Sequence, residues 1–338
     1  MEIMKIIKPD FNDNEKLAIL SKKHNVPGIT YCIIENGQAK KAVAYGIKNI
    51  HTQEPIKPDT MFEAASLTKT LFATLVLRLV DRGLLSLDEP VSLLAPSVIV
   101  SKDPRIDTIT VRQILSHGTG LPNWEDKPLQ FKFDPGTSYS YAGEGYYYLH
   151  KIINVLTGKD FIEHLNDEFF KPLGMVNSAA IWDASVGLRM TNKFEKESKM
   201  APLRNFVDLA GNAPEPNAAW SLYSGAEDYA KFMLEIMNRH AGLSNSIFAE
   251  MIRPQNKADD GVSWGLGWGI PQKDQSVIWH WGDNGGYRSL AAMDICNKDG
   301  ICIFCNSIGG TDLCIELMDE ITDGEFWQDI AKFLETAE

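Results

Sequence analysis

The sequence predicts a mixed α/β (α+β) fold, in which both ends of the chain build one antiparallel sheet flanked by helices and a mostly helical region is inserted between them. Three observations lead to this prediction: a hairpin pattern near the start, a broadly apolar helical pattern after Ser66, and strand-like runs that return late in the chain. We expect residues 1–338 to form one unit, with a sheet-and-helix subdomain of residues 14–60 and 255–338 and a mostly helical subdomain of residues 61–254.

The hairpin pattern lies near the start of the chain. Residues 29–34 and 39–44 are apolar-rich runs on either side of a turn that contains Asn36 and Gly37. Asn-Gly is the strongest short hairpin signal, because both residues tolerate a positive φ. The fold is therefore predicted to open with antiparallel strands.

A long buried helix is predicted to run from Ser66 to just before Gly83. Its apolar residues recur at helical spacing and cover so much of the helix that nearly every face must pack against protein. Gly83 is suited to the position just past the end of a helix. The residues that set the pattern are Leu67, Leu71, Phe72, Leu75, Val76 and Leu79.

The rest of the chain alternates helical and strand-like segments. Helical spacing is found at residues 111–116, 146–157, 161–170 and 226–237, and strand character at residues 277–281, 289–294 and 301–306. The final segment is again helical in pattern. Helices are therefore predicted to cover a sheet to which both chain ends contribute.

Composition excludes several classes of partner. The 338 residues carry a formal net charge of -12 and no long basic run, which argues against nucleic acid. No stretch approaches the roughly 20 apolar residues that a membrane span needs. The first residues lack the apolar core and cleavage site of a signal peptide, so we expect a cytoplasmic protein.

The cysteines do not predict a disulfide framework or a metal site. Four of the five, Cys32, Cys296, Cys302 and Cys305, lie in apolar strand-like runs, so reduced and buried thiols are expected. Cys302 and Cys305 have C-x-x-C spacing, but no second Cys or His pair follows. No cluster has metal-ligand spacing and no glycine-rich loop fits a phosphate, so neither a metal nor a cofactor is predicted.

Ser66 and Lys69 are the candidates for chemistry. Positions i and i+3 share a helix face, so the amine can reach the hydroxyl. A lysine activates a serine when burial lowers its pKa, and the start of a helix favours a developing oxyanion. S-x-x-K also occurs by chance, with Ser as an N-cap and Lys solvated. A solvated Lys69 fits poorly in a helix with so little polar face.

Several ordered segments together resemble one family, that of class C β-lactamases, serine D-Ala-D-Ala carboxypeptidases, D-amino-acid aminopeptidases and β-lactamase-like carboxylesterases. The resemblance implies a β-lactamase/transpeptidase-like fold and a serine hydrolase that forms an acyl-enzyme on Ser66. The segments are DTMFEAASLTK at 59–69, GLLSLDEPV at 83–91, ILSHGTGLP at 114–122, FDPG at 133–136, PLGM at 172–175, GLGW at 265–268 and HWG at 280–282.

The resemblance also places a Tyr-x-Asn motif just after the Pro135-Gly136 turn. Family spacing favours Tyr141 as the motif tyrosine, a general acid-base near Lys69, with Tyr139 as the alternative. Gly143 stands where the family usually has an Asn that hydrogen-bonds an acylamino substrate. The exchange removes a donor and an acceptor from the substrate-binding site.

The third family motif falls at His280, Trp281 and Gly282. His280 resembles the residue of carboxypeptidases, D-aminopeptidases and some esterases rather than the lysine of β-lactamases. Gly282 is expected to let substrate approach the strand. The backbone N–H groups of Ser66 and Asp283 are implied as the oxyanion hole. His117 lies in a segment that is a structural turn in this family, so we leave it out of the catalytic set.

The substrate is predicted to be a small ester, amide or short peptide. Trp281 and Asp283 stand where the family commonly binds a carboxylate with hydroxyl groups, so carboxylate capture is poor unless Arg288 compensates. Five tryptophans lie in or near segments that reach the family's cleft, and they suit a neutral, hydrophobic acyl group, although some must be core: Trp124, Trp264, Trp268, Trp279 and Trp281.

These features rank the possible activities. An esterase or amidase comes first, a D-amino-acid peptidase second and an efficient β-lactamase third. A catalytically silent binding or scaffold protein that keeps the fold is the alternative from another class. The presence of Ser66, Lys69, Tyr141 and His280 argues against that alternative.

Overall fold

The computed structural model describes residues 4–98, 101–124, 129–195, 215–323 and 326–337. Its strands are β1 Lys5–Ile6, β2 Gly28–Glu35, β3 Gln38–Ala39, β4 Val43–Asn49, β5 Glu54–Pro55, β6 Phe62–Ala65, β7 Leu222–Ser224, β8 Asn256–Lys257, β9 Val262–Trp264, β10 Gly269–Pro271, β11 Val277–Asp283, β12 Arg288–Asp294, β13 Asp299–Cys305 and β14 Thr322–Asp323.

The helices lie between β6 and β8 and near both ends of the chain. They are α1 Asn14–His24, α2 Thr68–Asp81, α3 Val91–Leu94, α4 Val111–Leu115, α5 Gly143–Thr157, α6 Phe161–Leu165, α7 Lys171–Leu173, α8 Ala184–Arg189, α9 Ala226–Arg239, α10 Asn245–Ile252, α11 Gly310–Ile321 and α12 Phe326–Ala337. A π-helical turn, Asn166–Phe170, continues α6.

The main sheet joins the two ends of the chain. Its strand order is β5-β4-β2-β13-β12-β11-β10-β9-β8, with β3 beside β2, and its neighbouring strands pair antiparallel. Strand β2 pairs with β13 in a register that sets Cys32 opposite Cys302. The predicted mixed fold, with an antiparallel sheet from both chain ends and helices inserted between them, is confirmed.

The β2–β3 turn and helix α2 agree closely with what the sequence predicts. Asn36 and Gly37 have φ values of 51° and 73° in the turn between β2 and β3, as the Asn-Gly signal requires. Helix α2 is buried from Thr68 to Leu79, with Arg78 the least buried of this stretch, so its broad apolar pattern reflects packing on nearly every side. Gly83 follows the helix with φ 72°, which the left-handed conformation after a helix end favours.

The sheet separates two hydrophobic cores. One core packs the sheet against the inserted helical region and contains the large buried apolar side chains of α2, α5 and α9. The other packs the opposite face against α1, α11 and α12. Successive side chains of a strand point to opposite faces, so the central strands supply both cores.

The prediction that all four strand-like cysteines are buried is wrong at one position. Cys32, Cys302 and Cys305 lie in strands and are buried, and Cys314 is buried in α11. Cys296 is exposed, because it lies in the turn between β12 and β13, where the apolar run ends.

In the described part of the chain, each helix is too short or too polar to cross a lipid bilayer.

Candidate active site

The turn that presents Ser66 is held in an unusual backbone conformation. Ala65, the last residue of β6, has φ 49°, which residues other than glycine rarely adopt. Such strain persists where surrounding packing imposes it, and it clusters at functional sites. Ser66 follows at the entry to α2, and the Lys69 N–H donates to the Ser66 carbonyl at 2.9 Å. The side chains of residues 66 and 69 thereby share one helix face.

Lys69 lies beneath Ser66. Its Nζ is 3.0 Å from Ser66 Oγ and donates to the carbonyl of Ala219 at 2.8 Å. The side chain is fully buried, and the rings of Tyr141 and Tyr146 lie 4.9 and 5.6 Å from Nζ. Burial lowers the pKa of Lys69 to about 7, because desolvation penalises the ammonium form. A neutral amine that can accept the Ser66 proton is therefore populated near neutral pH.

Tyr141 completes the group around Ser66. Burial raises the pKa of Tyr141, while the influence of the Ser66 hydroxyl acts in the opposite direction. The phenol therefore keeps its proton at neutral pH and is available as a donor.

Tyr139, the alternative motif residue, shares His117 and Trp264 with Tyr141 as ring neighbours. Its ring lies 5.8 Å from that of Trp264 and 6.4 Å from that of Phe333. Both tyrosines line the cleft, but the cation–ring contact with Lys69 involves Tyr141.

His280 lies behind the cleft wall. Its Nδ1 is 2.7 Å from the Trp281 carbonyl, so Nδ1–H is the donor and Nε2 carries the lone pair. The side chain is fully buried, and burial, with the charge of Lys69 in second place, lowers the pKa of His280 to about 3. The ring stays neutral, 6.1 Å from the ring of Tyr141. The Trp281 ring lies 5.4 Å from that of His280, and Trp281 lines the cleft.

His117 belongs to this group, although sequence reasoning set it aside. It is fully buried at φ 56°, its ring lies 4.2 Å from that of Tyr141, and its Nδ1 accepts the Ala142 N–H at 3.1 Å. Burial, followed by the charges of Lys69 and His280, holds the pKa of His117 well below its usual range. The imidazole therefore fixes the backbone next to Tyr141. The surrounding turn gave no sequence signal for this contact.

A cleft of about 530 Å³ opens above these residues. Two of the five tryptophans considered from the sequence, Trp124 and Trp281, line it. Trp264, Trp268 and Trp279 are core residues with no exposed surface. Sequence reasoning missed other residues of the wall, which are distant in the chain or carry no motif: Asn123, Lys132, Ser140, Trp220, Ala258, Asp259, Asn284, Phe333 and Thr336.

Asp283 ends β11 at the rim of the cleft, near Ser66. Its Oδ1 accepts from Arg288 Nη1 at 2.5 Å and from the Gly285 N–H at 2.8 Å. The Arg288 side chain is 7% exposed and that of Asp283 is 40% exposed. The carboxylate charge is therefore compensated inside the protein, and repulsion of an anionic substrate by Asp283 is weaker than the sequence suggested.

The two glycines of the predicted substrate-binding set contact protein. A Cβ on Gly282 would lie 2.4 Å from the Ala64 carbonyl oxygen and 2.3 Å from Ser289 Oγ. Gly282 therefore lets β11 approach the segment before Ser66, whereas the sequence suggested close approach of substrate. Gly143 is buried at the first position of α5, where its N–H donates to Asn123.

Among the residues that the structure describes, no group of three or more His, Cys, Asp and Glu side chains could hold a metal ion.

The fold is that of β-lactamase-like serine hydrolases. Residues 14–316 match the family model described as Beta-lactamase, so the chain belongs to the β-lactamase family. Among curated relatives, it is 28% identical over 225 residues to Penicillin-binding protein 4 of Amycolatopsis lactamdurans, a match that covers 62% of this chain and 56% of that protein. The chain thus spans little more than half of this relative's length.

Solved structures share the fold. The penicillin-binding protein from Bacillus halodurans superposes with a TM-score of 0.76 at 20% identity, over 92% of this chain and 100% of that chain. D-alanine carboxypeptidase AmpC from Burkholderia cenocepacia gives 0.72 at 17% identity, over 91% and 97%.

Proposed function

We propose that the protein hydrolyses small esters or amides with neutral, hydrophobic acyl groups through an acyl-enzyme on Ser66. The observation that carries the proposal is the buried Lys69, whose Nζ lies 3.0 Å from Ser66 Oγ and whose pKa burial lowers to about 7. A lysine in that state is a general base, and a serine at that distance is its partner.

Acylation follows from this geometry. Ser66 Oγ attacks the substrate carbonyl carbon as its proton passes to Lys69 Nζ, and the N–H groups of Ser66 and Asp283 stabilise the oxyanion. When the tetrahedral intermediate collapses, the bond to the leaving group breaks. The leaving group takes a proton from Tyr141, which Lys69 reprotonates. The ester of Ser66 and the neutral amine remain.

Deacylation reverses the roles. Water attacks the acyl carbon while its proton passes to the neutral Lys69 amine, with the Tyr141 hydroxyl as the relay, and Lys69 returns the proton to Ser66 Oγ as the acid leaves. His280 and His117 stay neutral beside Lys69, so neither adds a charge that would further disfavour its protonated form during the reaction.

The cleft wall supports the choice of acyl group. It presents Trp124, Trp220, Trp281 and Phe333 together with the two tyrosines, a surface that buries apolar atoms well. At Gly143 the side-chain amide that would bind an acylamino group is missing. Arg288 is already engaged by Asp283, so its guanidinium is not a free positive charge for a carboxylate.

A D-amino-acid peptidase is the second candidate, favoured by His280 at the third motif, and a β-lactamase is the third. A short-chain aryl ester, a D-Ala-D-Ala peptide and a chromogenic cephalosporin, assayed on one preparation near neutral pH, would rank the three. We expect the ester to have the highest kcat/KM, by two to four powers of ten. A cephalosporin turned over as fast as the ester would restore β-lactamase to first place.

Covalent labelling tests the nucleophile. A fluorophosphonate should label the protein at Ser66 and fail to label Ser66→Ala, because the Ser66 hydroxyl lies 3.0 Å from the buried Lys69 amine. Ser246→Ala, an exposed position on α10, is the matched control and should label normally. Labelling or turnover that persists in Ser66→Ala would contradict the proposed mechanism. A catalytically silent scaffold protein would not be labelled in the wild type.

A further inference from the structure

Gly143 has no room for a side chain. A Cβ placed on it would lie 2.6 Å from Cη2 and Cζ2 of Trp124 and 2.8 Å from the carbonyl oxygen of Asn123. Both separations are shorter than real Cβ contacts. The indole of Trp124 therefore occupies the space in which a side chain at position 143 would begin, and the two residues are matched in size.

Asn123 fixes the indole in this place. Its Oδ1 and its carbonyl oxygen accept the Gly143 N–H at 2.9 and 3.1 Å, and the same carbonyl accepts the Glu144 N–H at 3.1 Å. Ala142, at the N-cap of α5, provides no side-chain hydrogen bond, so Asn123 takes that function from another segment. Three hydrogen bonds therefore hold Asn123 against the start of α5. They also fix the position of Trp124, the next residue in the chain.

Trp124 also faces the reaction site. It lines the same cleft as Ser66, and it is 49% exposed although it is one of the largest apolar side chains. An exposed indole whose backbone is fixed by hydrogen bonds is a surface that is available to a ligand.

We propose that Trp124 determines acyl specificity: its indole replaces the missing amide at position 143 with an apolar wall, which selects acyl chains without a polar group near the reacting carbonyl. The inference rests on the proposed hydrolase function and names its substrate class. A methylene chain gains by burial against the indole, whereas an amide in the same place loses hydrogen bonds to water and finds no partner on a ring carbon surface.

Two esters with one leaving group provide the test. p-Nitrophenyl pentanoate and the p-nitrophenyl ester of N-acetylglycine have acyl chains of equal length, but only the second has an amide near the carbonyl. The wild type should favour the pentanoate by about tenfold or more in kcat/KM, the scale of one lost hydrogen bond. Trp124→Ala should lower kcat/KM for the pentanoate and reduce the ratio by about tenfold, while Trp124→Phe should keep most of it.

The match between Trp124 and Gly143 gives a second, independent measurement. Gly143→Ala should lower kcat/KM for the pentanoate in the wild type, because the new Cβ must displace the indole. In the Trp124→Ala background the same change should cost several-fold less, since only the Asn123 oxygen remains close. Equal effects of Gly143→Ala in both backgrounds would contradict the pairing.

Controls separate this inference from the proposed function. Fluorophosphonate labelling of each variant reports an intact Ser66, and Leu188→Ala, at a position 79% exposed on α8, should leave the ester ratio unchanged. A wild-type protein that is not labelled by the fluorophosphonate and hydrolyses neither ester would contradict both the proposed function and this inference. A wild type that hydrolyses both, with an unchanged ratio in a Trp124→Ala variant that still labels, would overturn the role of Trp124 alone.

Discussion

Lys69 is the residue on which the proposed chemistry depends, and its environment is unfavourable to its ordinary charged form. The side chain has no exposed surface, and its Nζ contacts a hydroxyl and a carbonyl. The neighbouring imidazoles of His117 and His280 are kept neutral by burial. Desolvation without a compensating anion among these contacts is what lowers a lysine pKa.

The pH dependence of kcat/KM for a neutral ester should report this pKa. Protonated Lys69 cannot accept the Ser66 proton, so activity should be low in acid, rise tenfold per pH unit, and level off above a pKa of about 7. A stopped or continuous assay with an uncharged ester between pH 5 and 9 measures this rise of kcat/KM with pH. Activity that still rises tenfold per pH unit at pH 9 would contradict a Lys69 pKa of about 7.

Tyr141 and Tyr139 are two residues apart, yet only Tyr141 lies against Lys69. Tyr141→Phe should reduce kcat by roughly 100-fold or more, because a positioned acid-base group is lost. Tyr139→Phe, the matched control, removes a hydroxyl from the same cleft and should have a much smaller effect. If the ranking of the two variants is reversed, the motif tyrosine has been assigned two residues too far along the chain.

The β11–β12 hairpin links the proposed oxyanion position to an ion pair whose arginine is buried. Asp283 and Arg288 lie opposite each other in its register, and their side chains pair across the turn. The arginine also donates to the carbonyls of Gly285 and Tyr287, so it holds the turn from within. The geometry of the Asp283 N–H thus depends on the whole hairpin.

Asp283→Asn should therefore weaken both stability and turnover. The amide keeps the shape but removes the charge that faces a buried guanidinium, and a loss of about 1–3 kcal/mol in the free energy of unfolding is expected. Denaturant unfolding of Asp283→Asn, with Asp260→Asn as an exposed control on the turn between β8 and β9, measures it. An unchanged midpoint would show that the pair contributes nothing to the hairpin.

At the level of the whole molecule, the cleft lies where separate parts of the chain meet. Ser66 comes from the start of α2, Tyr141 from the segment before α5, Trp281 from β11 and Phe333 from α12. The pairing of β2 with β13 brings the two ends of the chain together, so the last helix lies close enough to line the site. Residues far apart in sequence thus contribute to one cavity.

The sequence by itself determined what depends on local spacing. The Asn36-Gly37 turn, the buried pattern of α2 and the placement of Ser66 and Lys69 on one helix face follow from near neighbours in the chain, whose geometry the backbone fixes. The ordered motifs of the resemblance also sufficed to expect the fold, which the family match and the sheet topology confirm.

Only the tertiary structure decided what surrounds those residues. That Lys69 is buried beside neutral histidines, that His117 contacts Tyr141, and that Trp124 fills the space at Gly143 all depend on contacts between distant segments. Periodicity tells which face of an element is buried, but not which side chain it meets there. Burial and partner set a pKa or a pocket wall, so these properties appear only once the chain has packed.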